Sequence, residues 1–168
     1  GGASVEMPWA PAVPALVNGY LTGQGGAGAM LDVLSGAVNP SGRLAETYAL
    51  SYEDHPTAAW YPATGPLSYY REGPFVGYRY FTSAGIDVAF PFGYGLSYTQ
   101  FAYSNLAIAK KGDAYSVTFD VKNVGERDGE EVAQLYIHDQ VASVSQPLLQ
   151  LKKFDRLSIC LLYTSDAA

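Results

Sequence analysis

The chain has 168 residues, of which 48% are hydrophobic and 15% are charged, so it can form a packed core and is not intrinsically disordered. Its net charge is −6 and no Lys/Arg cluster is present, which argues against a nucleic-acid-binding surface. No apolar run approaches the roughly 18 residues of a membrane span, and the start, GGASVEMPWA, lacks signal-peptide features. The single cysteine, Cys160, excludes an internal disulfide and slightly favours a cytoplasmic location.

Residues 1–50 have the pattern of an α/β domain: a strand, a short helix, a turn, a second helix and an extended exit. Within GAGAMLDVLSG, four apolar residues recur at helical spacing, which predicts a helix that ends at Gly36. They are Ala27, Met30, Leu31 and Leu34. The following NPSG (39–42) has Pro and Gly where a type I turn places them.

The glycines of GQGGAG match the G-x-G-x-x-G pattern of a dinucleotide-binding turn. They are Gly23, Gly25 and Gly28. Such a turn requires a second strand with an acidic residue at its end about 20 residues later. Glu46 lies at a plausible distance, but no apolar strand precedes it. We therefore predict that these glycines allow tight helix entry and close packing, and that the chain binds no cofactor.

Residues 51–100 are predicted to form a long ordered connector, in which prolines alternate with Tyr and Gly and the periodicity is lost. Structureless stretches of this length inside compact domains are usually functional or join two domains. The connector ends in FPFGYGLSYTQF (90–101), which has five aromatic rings. Residues alone allow two interpretations of these rings: a platform that binds sugars, or the hinge between two packed domains.

From residue 101 to 157 the apolar period becomes 2, which predicts β-strands. Tyr115, Val117, Phe119 and Val121 alternate with polar residues, and EVAQLYIHD and QPLLQLKKF continue the pattern. This is typical of an immunoglobulin-like or fibronectin-like sandwich, although only some four of its seven strands are visible. We predict an α+β fragment, with residues 158–168 a non-native tail because the alternation stops there.

Five carboxylates lie in or near the connector, and glycoside hydrolysis needs a pair of them. They are Glu46, Glu53, Asp54, Glu72 and Asp87. Glu72 stands out beside Arg71 and two tyrosines, although a structural Arg71–Glu72 pair is the favoured interpretation. His55 and His138 have no partner at metal-ligand spacing, and Ser97 lacks the glycines of a nucleophile elbow. We predict no catalytic residue and no metal site.

An ordered series of sequence blocks closely resembles the C-terminal region of glycoside hydrolase family 3 β-glucosidases. The resemblance covers nearly the whole chain up to Leu157. The blocks are VEMPW (5–9), NPSGRLAETY (39–48), YREGPFVGYRYF (70–81), FPFGYGLSYTQFAYSNL (90–106), VKNVGERDGEEVAQLYIHD (121–139) and QPLLQLKKFDRL (146–157).

The resemblance implies a three-part retaining enzyme: a TIM-like barrel, an α/β sandwich, and a fibronectin type III-like β-sandwich. Residues 1–50 correspond to the end of the α/β sandwich domain, and 101–157 to a partial fibronectin type III-like domain. The nucleophilic Asp belongs to the barrel and the acid/base Glu lies upstream of VEMPW, so neither is present. Asp166, in TSDAA, is not assigned the nucleophile's role because the family's Trp and strand context are missing.

The resemblance also implies that the parent enzyme acts on an oligosaccharide or β-glucoside, and that its barrel packs against this region. It favours the hinge interpretation of FPFGYGLSYTQF. Tyr70, Arg71 and Glu72 are the candidates for contact with substrate. The alternative function is a stand-alone carbohydrate-binding or structural module. Because a partial sandwich exposes strand edges and apolar surface, we expect the isolated chain to be poorly soluble or molten.

Overall fold

The structure, a computed structural model, describes residues 5–161 and 164–167, the last four through their backbone only. Most regular elements of the described chain are β-strands, which are accompanied by two α-helices and two short 3-10 helices. The α-helices are α1 (Gly26–Leu34) and α2 (Tyr78–Ala84), and the 3-10 helices are Ala10–Ala12 and Tyr52–Asp54. The strands are β1 (Tyr48–Ala49), β2 (Val88–Phe90), β3 (Phe101–Lys111), β4 (Ala114–Asn123), β5 (Gly129–Ile137), β6 (Gln150–Ile159) and β7 (Thr164–Ala167).

The described strands form three small sheets. β1 pairs with β2 in antiparallel register, with Tyr48 opposite Phe90. β4 lies between β3 and β7 and is antiparallel to both. β5 pairs with β6. The helix and strands thus agree with a small α/β region followed by fibronectin-like strands.

The β3–β4 hairpin follows directly from the alternating sequence. In β4, Val121 is fully buried whereas Lys122 is exposed, which confirms the predicted alternation at this end of the strand. Gly112 and Asp113 separate the two strands. The register shifts between Ser104 and Ala107, where Asn105 has φ +54° and its amide donates a hydrogen bond to Asp120. This is a β-bulge, and Asn tolerates its left-handed backbone better than most residues.

The helix predicted in GAGAMLDVLSG is confirmed as α1, and Gly36 follows it with φ +76°. Its apolar face is not buried, however, because the side chains of Leu31 and Leu34 are 66% and 63% exposed. The strand predicted before α1 is absent from the described residues 5–47. No described strand lies beside this segment to form inter-strand hydrogen bonds with its backbone N–H and C=O groups, so the segment does not become a strand.

The type I turn predicted at NPSG is wrong, since residues 39–44 contain no turn. Asn39 instead serves long-range hydrogen bonds. Its Oδ1 accepts from Ser97 Oγ at 2.9 Å and from the Tyr98 backbone N–H at 2.8 Å, and its Nδ2 donates to the Asp128 carbonyl at 3.0 Å. These contacts hold the segment extended, because they outweigh its local turn preference.

The connector contains more regular structure than the sequence pattern indicates. A 3-10 helix (Tyr52–Asp54), α2 and β2 all lie within residues 51–100. The seven residues of α2, YRYFTSA, are too few to establish a helical period, and three of them are aromatic. The helix ends at Gly85, which adopts the left-handed conformation and whose N–H donates to the Phe81 carbonyl.

The chain divides into two compact units. The first comprises Gly1–Ala27, Arg43–Tyr94 and Gln134–Lys153, and the second comprises Gly28–Gly42, Gly95–Ala133 and Phe154–Ala168. Buried residues of the first include Tyr48, Ala49 and Phe81. Those of the second include Val121 and Ile159. The chain passes from one unit to the other between Tyr94 and Gly95, within FPFGYGLSYTQF.

The tail predicted to begin at 158 is partly described. β6 continues to Ile159, which is buried, so the strand extends two residues beyond Leu157. Residues 164–167 form β7, in which Thr164 pairs with Lys122. Asp166 lies where only the backbone is described, and residues 162, 163 and 168 lie outside the described residues. The non-native origin of 158–168 stays a prediction.

Candidate functional site

The first part of the connector is fixed by local hydrogen bonds. The backbone N–H of Ser51 donates to Asp54 Oδ2 at 3.0 Å, which completes a capping box on the 3-10 helix. Tyr52 Oη donates to the Tyr61 carbonyl at 2.7 Å. The ring of His55 packs edge-on against buried Phe81, with 5.5 Å between centroids. These contacts fix the turn that carries Trp60 relative to α2.

A pocket of about 400 Å³ lies between this turn and α2. Its lining includes Trp60, Arg71, Glu72, Phe75 and Tyr80. The Arg71 guanidinium carbon lies 3.9 Å above the centre of the Trp60 ring and 5.2 Å from that of Tyr69. Such cation–π contacts contribute roughly 0.5–1 kcal/mol at exposed sites and hold Arg71 against the aromatic wall.

Glu72 brings an unsatisfied oxygen into this pocket. Its Oε2 is buried and has no hydrogen-bond partner among the described residues. Glu72 Oε2 therefore does not form the Arg71–Glu72 pair that the sequence favoured. Arg71 instead packs on the aromatic rings. An unpaired buried polar group costs about 1–3 kcal/mol, and more when it is charged, so a donor from solvent or from a bound molecule would stabilise this oxygen.

Three of the other candidate carboxylates have local partners. Glu46 accepts a 3.4 Å hydrogen bond from Tyr48 Oη, and Asp54 caps the 3-10 helix. The hydrogen bond from the Ser51 hydroxyl lowers the pKa of the Glu53 carboxyl below its ordinary value. Asp87 is exposed. Glu72 is thus the one of the five whose buried oxygen lacks a partner in the described structure.

Tyr48 is the buried phenol of this region. Burial raises the pKa of its hydroxyl, and the negative charge of Glu46 raises it further. Asn18 Nδ2 donates to Tyr48 Oη at 2.9 Å. The raised pKa favours the neutral phenol in the folded chain.

The remaining candidates do not form a reactive cluster. Ser97 Oγ donates to Asn39, His55 is packed between rings, and His138 follows the end of β5 in an exposed position. Cys160 is a free, exposed thiol. Within the described residues, no three His, Cys, Asp or Glu side chains are grouped as metal ligands. No described helix has the length and apolar character to cross a membrane.

Of the three predicted substrate-contact residues, the structure brings Arg71 and Glu72 together in the pocket. Tyr70 does not line it, and its side chain is 89% exposed. Sequence reasoning missed Trp60, which supplies the aromatic wall. The sequence signal that could have identified it is a tryptophan within HPTAAWYP, a stretch that otherwise consists largely of small residues and prolines.

The rings of FPFGYGLSYTQF are engaged within their own units. In the first unit, Phe92 stacks on Tyr78 at 4.8 Å, and Tyr78 meets Tyr136 edge-on at 5.7 Å. Burial, and then the nearby Tyr78, raises the pKa of Tyr136. In the second unit, Tyr98 Oη donates to the Val33 carbonyl at 2.8 Å. These contacts are packing contacts within each unit, and the hinge interpretation stays a prediction.

Comparison with known families identifies the class of protein. The profile of the glycosyl hydrolase family 3 C-terminal domain matches residues 1–98, and that of the fibronectin type III-like domain matches residues 131–160. The first match covers more than half of the chain. The chain therefore belongs to glycosyl hydrolase family 3, as the sequence blocks indicated.

Individual relatives agree with this assignment. The chain is similar to thermostable beta-glucosidase B of Acetivibrio thermocellus, with 44% identity over 160 residues, covering 93% of this chain and 21% of the relative. It is also similar to an exo-alpha-(1->6)-L-arabinopyranosidase of Bifidobacterium longum, with 38% identity over 93% of this chain and 21% of the relative.

Solved structures give the same result. Beta-glucosidase 3B from Thermotoga neapolitana, in complex with glucose, matches with a TM-score of 0.93 and 33% identity, over 98% of this chain and 24% of that chain. A beta-glucosidase from Kluyveromyces marxianus in complex with glucose matches with a TM-score of 0.92 and 34% identity, over 98% of this chain and 20% of that chain. The chain spans about a fifth of the length of the curated relatives that it matches.

Proposed function

We propose that this chain is the non-catalytic C-terminal part of a retaining glycoside hydrolase that removes terminal glucosyl or related residues from β-glucosides. One observation carries the proposal. Relatives named beta-glucosidases match 93–94% of the chain at 39–44% identity. Because two relatives are named exo-alpha-(1->6)-L-arabinopyranosidases, the proposed substrate class is terminal O-glycosides and not glucosides alone.

The chemistry supports a non-catalytic role for this part. Retaining hydrolysis requires two carboxylates about 5–5.5 Å apart, one as nucleophile and one as acid/base. Here Glu46 and Asp54 are engaged in local hydrogen bonds, and Glu53 accepts from Ser51. We assign both catalytic carboxylates to the part of the enzyme outside this chain, in keeping with the family resemblance.

The exposed apolar surface supports packing against that remaining part. Large apolar side chains are strongly exposed in this chain alone, among them Leu21 at 85%, Leu96 at 73% and Val141 at 91%. Stable monomers rarely leave this much large apolar surface uncovered. We propose that the barrel of the parent enzyme covers part of it.

The experiment compares the 168-residue chain with the protein encoded by the complete reading frame, using 4-nitrophenyl β-D-glucoside. We expect the longer protein to release nitrophenol and the purified chain to release none. Turnover by the chain alone would place the catalytic carboxylates within it. A longer protein without glycosidase activity on any aryl glycoside would refute the enzyme assignment.

The aromatic pocket favours a second candidate, a stand-alone carbohydrate-binding module. Trp60 and Tyr69 are exposed rings of the kind that contact sugars. The reading frame separates the two functions. A frame that encodes a barrel domain supports the hydrolase, whereas stop codons bounding these residues support the module.

A further inference from the structure

We propose that the pocket between Trp60 and α2 binds one pyranose unit of an oligosaccharide, with Glu72 as the hydrogen-bond acceptor. This inference deepens the proposed function and rests on it for the class of ligand. The pocket volume of about 400 Å³ is within the range of small-ligand sites.

The chemistry of the lining selects a neutral ligand that is rich in hydroxyl groups. Glu72 Oε2 is a buried acceptor without a donor in the described structure. An anion would be repelled by this carboxylate, and a cation by the Arg71 guanidinium. A sugar hydroxyl can donate to Glu72 and accept from Arg71 at the same time, because it is both donor and acceptor.

The aromatic wall supplies the second half of a sugar site. The Trp60 side chain is 51% exposed although Arg71 lies 3.9 Å from its ring centre, so part of the indole still faces outward. A pyranose ring has an apolar C–H face that packs on aromatic rings, while its hydroxyls project from the edge. Trp60 and Glu72 lie in one pocket, which allows one sugar unit to contact both.

The Arg71 side chain has a positioning role in this arrangement. Its guanidinium contacts both Trp60 and Tyr69, so the group is held in place before any ligand binds. A pre-positioned donor loses less side-chain entropy on binding. Tyr70, whose side chain points into solvent beside Arg71, does not line the pocket and provides a matched control.

The test is hydrogen–deuterium exchange on the protein encoded by the complete reading frame, with and without a thio-linked cellobiose that resists hydrolysis. At ten times the dissociation constant, we expect exchange in peptides covering residues 56–84 to slow by about tenfold. Glu72→Ala and Trp60→Ala should each remove most of this protection, whereas Tyr70→Phe should retain it. Mannitol, an open-chain polyol, should give none.

Two results would overturn the proposal. One is unchanged exchange in residues 56–84 under saturating ligand, which would indicate that another part of the enzyme supplies the donor to Glu72. The other is protection that survives both Glu72→Ala and Trp60→Ala. Glycosidase activity, measured on the same samples, reports separately on the proposed function, since a catalytically inactive protein can still show the local protection.

Discussion

Thr99 Oγ1 donates a 2.7 Å hydrogen bond to Asn123 Oδ1, and both side chains are buried. The same Oδ1 accepts from the Gly125 backbone N–H at 3.1 Å. Asn123 Nδ2 donates to the carbonyls of Arg127 at 2.6 Å and Ile159 at 3.2 Å. One amide thereby joins the end of β4 to the following turn and to the end of β6.

The first prediction concerns this amide. Asn123→Ala leaves the Thr99 hydroxyl and two carbonyls without their partner, so we expect local stability to fall by about 2–3 kcal/mol. Faster hydrogen exchange in the peptides of β4 and β6 would report the loss. Lys122→Ala, at an exposed position on the same strand, is the control and should change exchange little. Equal effects of the two substitutions would contradict the assigned role.

The second prediction separates two glycines of GQGGAG. A Cβ on Gly26 would lie 1.9 Å from Thr22 Oγ1 and 2.2 Å from Thr22 Cβ, whereas one on Gly28 would meet nothing within 4 Å. We expect Gly26→Ala to destabilise α1 by about 1–3 kcal/mol because of this overlap. Gly28→Ala should stabilise the helix by up to about 1 kcal/mol.

Exchange rates of the α1 amides would measure both effects. The close packing expected at Gly23, Gly25 and Gly28 is wrong, because an added Cβ at any of the three would meet nothing within 4 Å; the close contact lies at Gly26. Tolerance of Gly26→Ala would contradict the packing explanation.

The third prediction is a pH dependence. The folded-state pKa of Tyr48 is raised, so the folded chain keeps this proton where the unfolded chain, with an ordinary pKa near 10, begins to lose it. Its contribution to stability is therefore complete below about pH 10 and is lost as pH rises through the raised pKa. Between pH 8.5 and 11.5, Tyr48→Phe should show a smaller fall in the unfolding temperature than the unsubstituted chain.

The control for Tyr48→Phe is Tyr70→Phe, which makes the same chemical change at a side chain that is 89% exposed. Circular dichroism melts at a series of pH values would measure the difference, made on the protein encoded by the complete reading frame because the isolated chain is expected to melt with little cooperativity. Identical pH profiles for the two variants would show that burial of Tyr48 has no effect on its titration.

The fourth prediction concerns the isolated chain. Within the described residues, the buried apolar side chains are few: Tyr48, Ala49, Phe81, Val121, Ala133 and Ile159. So small a core stabilises a chain of this length weakly, and we expect a broad, weakly cooperative melt and poor solubility. Calorimetry of the purified chain would test this. A sharp transition with matching calorimetric and van't Hoff enthalpies would contradict it.

How much the sequence predicts depends on how local the determining interactions are. The alternation in β4 and the helical spacing in α1 are set by neighbouring residues, and both elements were predicted from them. The extended path at Asn39 depends on Ser97 and Tyr98, nearly sixty positions away in sequence. The turn predicted from the local residues was therefore wrong. Sequence adjacency likewise suggested an Arg71–Glu72 pair, whereas folding brings Trp60 under Arg71.

The candidate site was predicted in part for the same reason. Its two charged residues are adjacent in the sequence YREG, so both were identified as candidates from the sequence. Its aromatic wall comes from a turn eleven positions earlier, and only the path of the connector brings the two together. The unpaired state of Glu72 Oε2 is a property of three-dimensional packing and has no counterpart in the sequence.

The bulge at Asn105 affects how copies of this chain can associate. Among the described strands, β3 pairs only with β4, so it is an edge strand of its sheet over eleven residues. The register break between Ser104 and Ala107 bends that edge, and an incoming straight strand can align with one side of the break but not with both. The longest continuous template for intermolecular β-pairing on β3 is therefore the five-residue stretch 107–111, which limits fibril-like growth from this edge.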